Sequence, residues 1–360
     1  MARKLKSDRI LFLTTLLLVC LSVVMVYSAS AVRNPYDYLM KQLMWVALGL
    51  AILSVVTGID YRNYREPAFI WSFLGVVTVA LVAVLFMHPV NSASRWFAIG
   101  GLGIQPSEPA KLAAIVYIAA LLERRMHRVN DVHHALMPIA LVVAGWIGLI
   151  LLEPDLGTSL AIALITGVMV FAAGLSYSYL TIMALTALPA VALLIMFWDY
   201  RLQRVLTFLH PWDDPLGAGY QIIQSFIAVH TGGIAGRGLM NGIQKLFYLP
   251  EPQTDFIYAV IAEELGLIGA TLVLICFCVI AWRGVRIALR APDKFGAFLA
   301  LGLTTMVVVQ AFVNMSVVLG LMPTKGIPLP LVSFGGSSLL INLLGMGVLL
   351  NVSQHATSEA

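Results

Sequence analysis

Apolar runs of about 20 residues, the length that crosses a hydrocarbon core, recur near 10–28, 39–57, 67–87, 110–123, 134–152, 158–175, 180–198, 256–281, 295–322 and 337–352. The pattern predicts an all-α polytopic membrane protein of about ten transmembrane helices. Polar residues collect in three breaks, 88–109, 199–255 and 323–336, of which 199–255 is the longest. No tandem repeat, low-complexity tract or linker divides the sequence. A single transmembrane domain over 1–360 is therefore expected, with 199–255 as a large loop within it.

Of 360 residues, 60% are hydrophobic and 11% charged. Soluble domains carry about a quarter charged residues, so that class is excluded. Lys and Arg are retained in cytoplasmic loops, and here they cluster at Arg3–Arg9, at Arg62 and Arg65, at Arg124, Arg125 and Arg128, and from Arg283 to Lys294. Ten spans put all four clusters on one face, make both termini cytoplasmic, and leave the three polar breaks extracytoplasmic. The net charge of +4 then reflects topology, and no basic stripe points to nucleic acid. The basic start and the run Ser28-Ala29-Ser30-Ala31 imitate a secretory signal. The apolar stretch between them is longer than the usual core of about 7–15 residues, so an uncleaved first span is expected. Cys20, Cys276 and Cys278 lie in predicted spans without disulfide or zinc spacing, and no HExxH pattern occurs.

The breaks hold the candidate chemistry, and each candidate has a plainer reading beside it. Asp255, in Gln253-Thr254-Asp255-Phe256-Ile257-Tyr258, stands where a membrane helix begins, a costly place for an acid without a function. Thr254 and Asp255 also suit a helix N-cap. Two turns on, Glu263 and Glu264 lie side by side in an apolar run. One of them must face the bundle interior, paired with a cation such as Lys111 or Lys325, in a structural or a catalytic role. In the first break Ser107 suits an N-cap, Pro109 a first turn, and Glu108 with Lys111 an ion pair on one face. Trp96 there suits an interfacial anchor. The functional alternative has Arg95, Trp96, Glu108 and Lys111 lining a cavity open to the outer surface.

Asp155 can cap the helix that follows it through Thr158, whereas Glu153 has no such simple role. Residues 220–230 predict an amphipathic surface helix. The glycines of Thr231–Gly238, with Arg237, could cradle a phosphate or form a flexible linker. Met322–Ser338 holds three prolines and three glycines at bilayer depth. Irregular backbone there must be buried or line a cavity, which suggests a re-entrant wall carrying Lys325.

Taken in order, Ser94-Arg95-Trp96, Gln105-Pro106-Ser107-Glu108, Pro154-Asp155-Leu156-Gly157-Thr158, Thr254-Asp255-Phe256-Ile257 with Glu263-Glu264, and Gly326-Ile327-Pro328-Leu329-Pro330 resemble the SEDS family of shape, elongation, division and sporulation proteins. Val26-Tyr27-Ser28-Ala29-Ser30 and Pro323-Thr324-Lys325-Gly326 look most like its cell-division branch, and the elongation branch shares most of the rest. Leu331, Phe334 and Pro109 depart from the family's common residues without touching a proposed catalytic group.

The resemblance implies a peptidoglycan glycosyltransferase that polymerises lipid II into β-1,4-linked glycan at the outer face of the bacterial cytoplasmic (inner) membrane, with septal division as its setting. Asp255 would be the general base of an inverting single displacement. Arg95, Trp96, Glu108, Lys111, Arg201, Arg204, Arg237 and Lys325 are candidates to meet substrate and pyrophosphate, with Asp155, Glu263, Glu264 and Ser333 in support. A divalent cation, Mg²⁺ or Mn²⁺, would sit on Asp255 and substrate phosphates, with no organic cofactor. Expected partners are lipid II, membrane lipids, a class B penicillin-binding protein and division-complex regulators. A lipid II flippase, or a non-catalytic scaffold of the division complex, is the alternative.

Overall fold

The computed structural model describes residues 7–32, 34–87, 95–99, 102–324 and 326–356. Lys325 and Ser94 lie outside the described residues. Ten long helices fall where the apolar runs predict them. They are α1 (Arg9–Ala29), α2 (Pro35–Gly58), α3 (Pro67–Val84), α4 (Ser107–Arg125), α5 (Met137–Leu152), α6 (Leu156–Ala172) and α7 (Tyr177–Met196), then, after two shorter helices, α10 (Ile257–Arg290), α11 (Lys294–Val318) and α12 (Gly336–His355). Among the described residues eight helices are long and apolar enough to cross a membrane; α6 is shorter, and α4 is not among the eight. Charged ends dilute α4, yet Ala110 to Ala120 are all buried, so its solvent is protein. The α10 helix runs to Arg290, past the apolar stretch ending near 281, because hydropathy marks the lipid-facing part of a helix and not its end.

The 199–255 break contains α8 (Asp199–Leu209) and the predicted amphipathic helix, α9 (Tyr220–Gly232). A small antiparallel hairpin accompanies the helices without changing the all-α class. Its strands β1 (Phe97–Ile99) and β2 (Leu102–Ile104) pair Phe97 with Ile104. Three-residue strands are too short to show an alternating pattern.

One cluster of buried apolar side chains draws on residues from Leu11 to Val352. α11 and α12 are its most enclosed spans, whereas α7 buries none of its residues. The basic clusters meet at one end of the bundle. Arg283 pairs with Asp8, the cap of α1. Arg62 reaches Asp293 at 3.2 Å and Arg65 reaches Glu123 at 3.2 Å.

Helix α10 is broken at Gly266, whose φ of +66° lies outside helical space and favours glycine. The segment after α9 folds back along this break. Arg237 N donates to Glu263 O and Gly238 N to Glu264 O, both at 3.0 Å, while Leu267 N donates to Gly233 O at 2.9 Å. Backbone groups released by the break are thereby satisfied.

Candidate active site

Asp255 sits in the turn that enters α10. Phe256 takes the cap position and no side chain caps the helix, so the N-cap reading of Asp255 is overturned. The turn is instead laced to the last loop. Asn314 of α11 donates through Nδ2 to Asp255 O and to Ile327 O, each at 2.8 Å. Ser333 Oγ donates to Thr254 O at 2.6 Å and accepts from Leu329 N at 2.8 Å. Phe334 N donates to Gln253 O at 2.9 Å. Three consecutive carbonyls, 253 to 255, are thus held, while the carboxylate accepts no hydrogen bond among the described residues. A Cβ placed on Gly326 would lie 3.2 Å from Asp255 Oδ2, so the last loop passes directly over the acid. Burial first, and then the Glu251 charge, push the Asp255 carboxyl up to about 6, against the pull of Arg204 and Arg95.

Gly326 also borders a cavity walled by Arg95, Asp155, Val191, Ile195, Arg201 and Arg204. Its three guanidinium groups rest on carbonyls. Arg95 donates to Glu153 O at 2.7 Å and Pro154 O at 2.6 Å, Arg201 to Leu194 O at 3.3 Å, and Arg204 to Thr324 O at 3.3 Å. Arg201 and Arg204 also lie over the rings of Trp198 and Tyr200, at 4.6 and 4.3 Å. Among the described residues none of the three is in an ion pair. Burial, and then the Arg95 charge beside it, depress Arg201. Like charges gathered in a low-dielectric recess favour an anion. The recess measures about 130 Å³, below the roughly 300–1,000 Å³ of sites that enclose a whole ligand. It therefore suits the charged group of a larger molecule whose remainder extends past α7.

Asp155 caps α6 as expected, with Oδ1 accepting from Thr158 N at 3.0 Å and Oδ2 from Gln105 Nε2 at 3.1 Å. Glu153 is fully buried, and neither carboxylate oxygen has a hydrogen-bond partner among the described residues. Burial first, and then Asp155, push its carboxyl up to about 8, against the pull of Arg95. A carboxyl raised in the fold gives stability that is lost as pH rises through the folded value. The melting temperature of the wild type should accordingly fall between about pH 4.5, the ordinary glutamate value, and about pH 8. In Glu153→Gln that part of the fall should vanish, as thermal scans across this range will read.

Other candidates lie elsewhere. Lys111 and Glu108 form the expected ion pair, at 2.9 Å, but it is buried within the bundle, and the helix begins at Ser107 with Pro106 in the cap position. The N-cap reading of Ser107 is thus corrected. Its hydroxyl is buried without a hydrogen-bond partner among the described residues. Glu108 borders a small recess shared with Gly326 and Gln310, whereas Trp96 packs its ring on Gly103 of the hairpin.

Glu263 and Glu264 face neither Lys111 nor the Asp255 cavity. Glu263 accepts from Ile243 N at 2.7 Å, and Glu264 pairs with Lys245 at 2.6 Å while accepting from Ser28 Oγ at 2.7 Å and Met240 N at 3.0 Å. These acids pin the 237–245 segment against α10 and α1. The amides of Arg237 and Gly238 are already bonded to carbonyls, which removes them from a phosphate cradle, and Arg237 is exposed away from the cavity. Asn314 and Lys245 were not singled out by sequence. A lone Asn in the run 306–322 is a signal that could have found the first; the second pairs across 19 and 217 residues, which no local pattern encodes.

A profile of the FtsW/RodA/SpoVE family, described as a cell cycle protein, matches residues 8–358. The chain is 42% identical to a "Probable peptidoglycan glycosyltransferase FtsW" of Geobacter sulfurreducens, over 97% of this chain and 95% of that one. It is 41% identical to "Stage V sporulation protein E" of Bacillus subtilis, over 98% and 99%. Two solved structures share the fold. One, described as showing structural coordination of polymerization and crosslinking by a peptidoglycan synthase complex, aligns with TM-score 0.80 at 30% identity over 96% of this chain and 97% of that chain. The other, the rod shape determining protein RodA of Thermus thermophilus, aligns with TM-score 0.73 at 28% identity over 98% of each. Helix order, motifs and sequence agree from end to end, and the chain belongs to the FtsW/RodA/SpoVE family, the SEDS group its motifs resemble, as an integral membrane protein.

Proposed function

We propose that this chain is a peptidoglycan glycosyltransferase that polymerises lipid II at the outer face of the bacterial cytoplasmic membrane during septal wall synthesis. The observation that carries the reading is a single one: a carboxylate that accepts no hydrogen bond among the described residues lies under Gly326, beside a recess holding three guanidinium groups with no ion pair among the described residues. The acceptor sugar's 4-hydroxyl attacks C1 of the donor while Asp255 takes its proton. The C1–oxygen bond to pyrophosphate breaks with inversion, and the developing negative charge meets Arg95, Arg201 and Arg204. The basic clusters, brought to one end of the bundle, support the ten-span topology that places this site outside.

Among the described residues no three His, Cys, Asp or Glu side chains cluster as metal ligands. A Mg²⁺ or Mn²⁺ ion would therefore rest on Asp255 together with substrate phosphates, a ligand set Mg²⁺ accepts, and would neutralise phosphate charge. A class B penicillin-binding protein is the partner this reading implies, since the related synthase complex coordinates polymerization with crosslinking. Glycan formation from purified lipid II tests the activity. No polymer from folded wild type, with the partner present, would favour a flippase or scaffold.

The base must be ionised, so turnover should drop about tenfold per pH unit below about pH 6, the Asp255 value. Arg204 lowers that value and Glu251 raises it. Arg204→Gln should move the acid limb to higher pH, and Glu251→Gln to lower pH, in initial rates measured from pH 5 to 8.

A further inference from the structure

At the opposite end of the bundle from Asp255, where the basic clusters meet, a second cavity opens between the end of α10 and the start of α11, reaching Met126 after α4 and Ala172 at the end of α6. Its volume is about 560 Å³, within the roughly 300–1,000 Å³ typical of ligand sites. The walls are apolar, with Val285, Leu289, Phe298 and Leu301 among them, and among the described residues its charged lining is Asp293 and Lys294. Asp293 is already engaged by Tyr61 Oη at 2.6 Å, Gly296 N at 2.7 Å and Arg62 Nε at 3.2 Å. Lys294 is exposed at the rim. Sequence neighbours of the lining add positive charge, Arg290 beside Ala291 and Arg125 beside Met126.

An apolar trough with a cationic lip, set in a membrane-embedded bundle, complements an amphiphile with an anionic head. We propose that this cavity binds an anionic phospholipid, its phosphate at Lys294 and an acyl chain along Leu289 and Leu301. The site joins the ends of α4, α6, α10 and α11, so the bound lipid completes packing that protein side chains leave open.

Native mass spectrometry of the purified full chain with phosphatidylglycerol or phosphatidylcholine tests it. The expected result is selective retention of phosphatidylglycerol. Lys294→Gln should lower that preference about fivefold, the weight of one lysine near an anionic surface. Leu301→Trp should fill the trough and abolish retention, with Ala297→Leu as the milder filling variant if the first does not fold. Asp255→Asn should leave retention unchanged. Equal retention of the two lipids, retention that survives both filling variants, or loss on Asp255→Asn would each overturn the proposal.

Discussion

Under the proposed mechanism Asp255→Asn should yield no measurable glycan polymer from lipid II, while the variant should fold, insert and melt as the wild type does or at a slightly higher temperature. The expected loss of rate is that of removing the proposed base, worth roughly 10²–10⁴ in turnover. Retained stability follows from what Asp255 does not do. It caps no helix, its carboxylate accepts no hydrogen bond among the described residues, and its neighbours hold its carbonyl, which Asn keeps. A carboxyl pushed up to about 6 is also less comfortable ionised in the fold than outside it, so a neutral amide relieves the strain at pH 8. Polymer formation by purified wild type and variant, alongside their melting curves, decides the matter. Full polymerisation by Asp255→Asn would strip Asp255 of its role, and joint loss of polymer and folding would make it structural.

Lys245→Met is the most damaging substitution expected away from the cavity. Both Lys245 and Glu264 are almost fully buried, and the lysine also donates to Ser28 Oγ and Met240 O, at 2.8 and 2.9 Å. Removing the cation strands a buried carboxylate, which costs about 3–5 kcal/mol in comparable pairs. Glu264 sits nine residues beyond Asp255, roughly 13 Å at the helical rise of 1.5 Å per residue, so the primary effect is on stability rather than chemistry. The double variant Lys245→Met, Glu264→Leu should regain much of the loss, because replacing a whole buried pair by apolar groups is often close to neutral. Melting temperatures of the single and double variants check this. A single variant as stable as wild type would show the pair to be dispensable.

Hydrophobic run length located the ten long helices because lipid and protein interior impose the same demand on them. It could not show that α4 is sheathed by protein while α7 is bare, since both runs are apolar. The Asp155 cap was legible because its partner Thr158 lies three residues away. Asp255 looked equally cap-like in Thr254-Asp255-Phe256, but the carbonyls there are drawn toward Ser333 and Asn314, and contacts across 79 and 59 residues override the local preference. The Glu263–Glu264 pair was recognisable as requiring partners. Their identity was not, because Lys245 and the amides of Met240 and Ile243 arrive from a segment whose glycine-rich approach carries no periodicity.

The broken turn at Gly266 has a mechanical consequence. An unbroken α10 would carry torque from its basic end to Asp255 as a stiff rod. With the helix interrupted and clasped by residues 233–238, rotation of the lower segment is delivered first to that clasp. Anything that grips the 237–245 segment from outside therefore bears on the upper segment of α10 at Glu263 and Glu264, two turns from the acid.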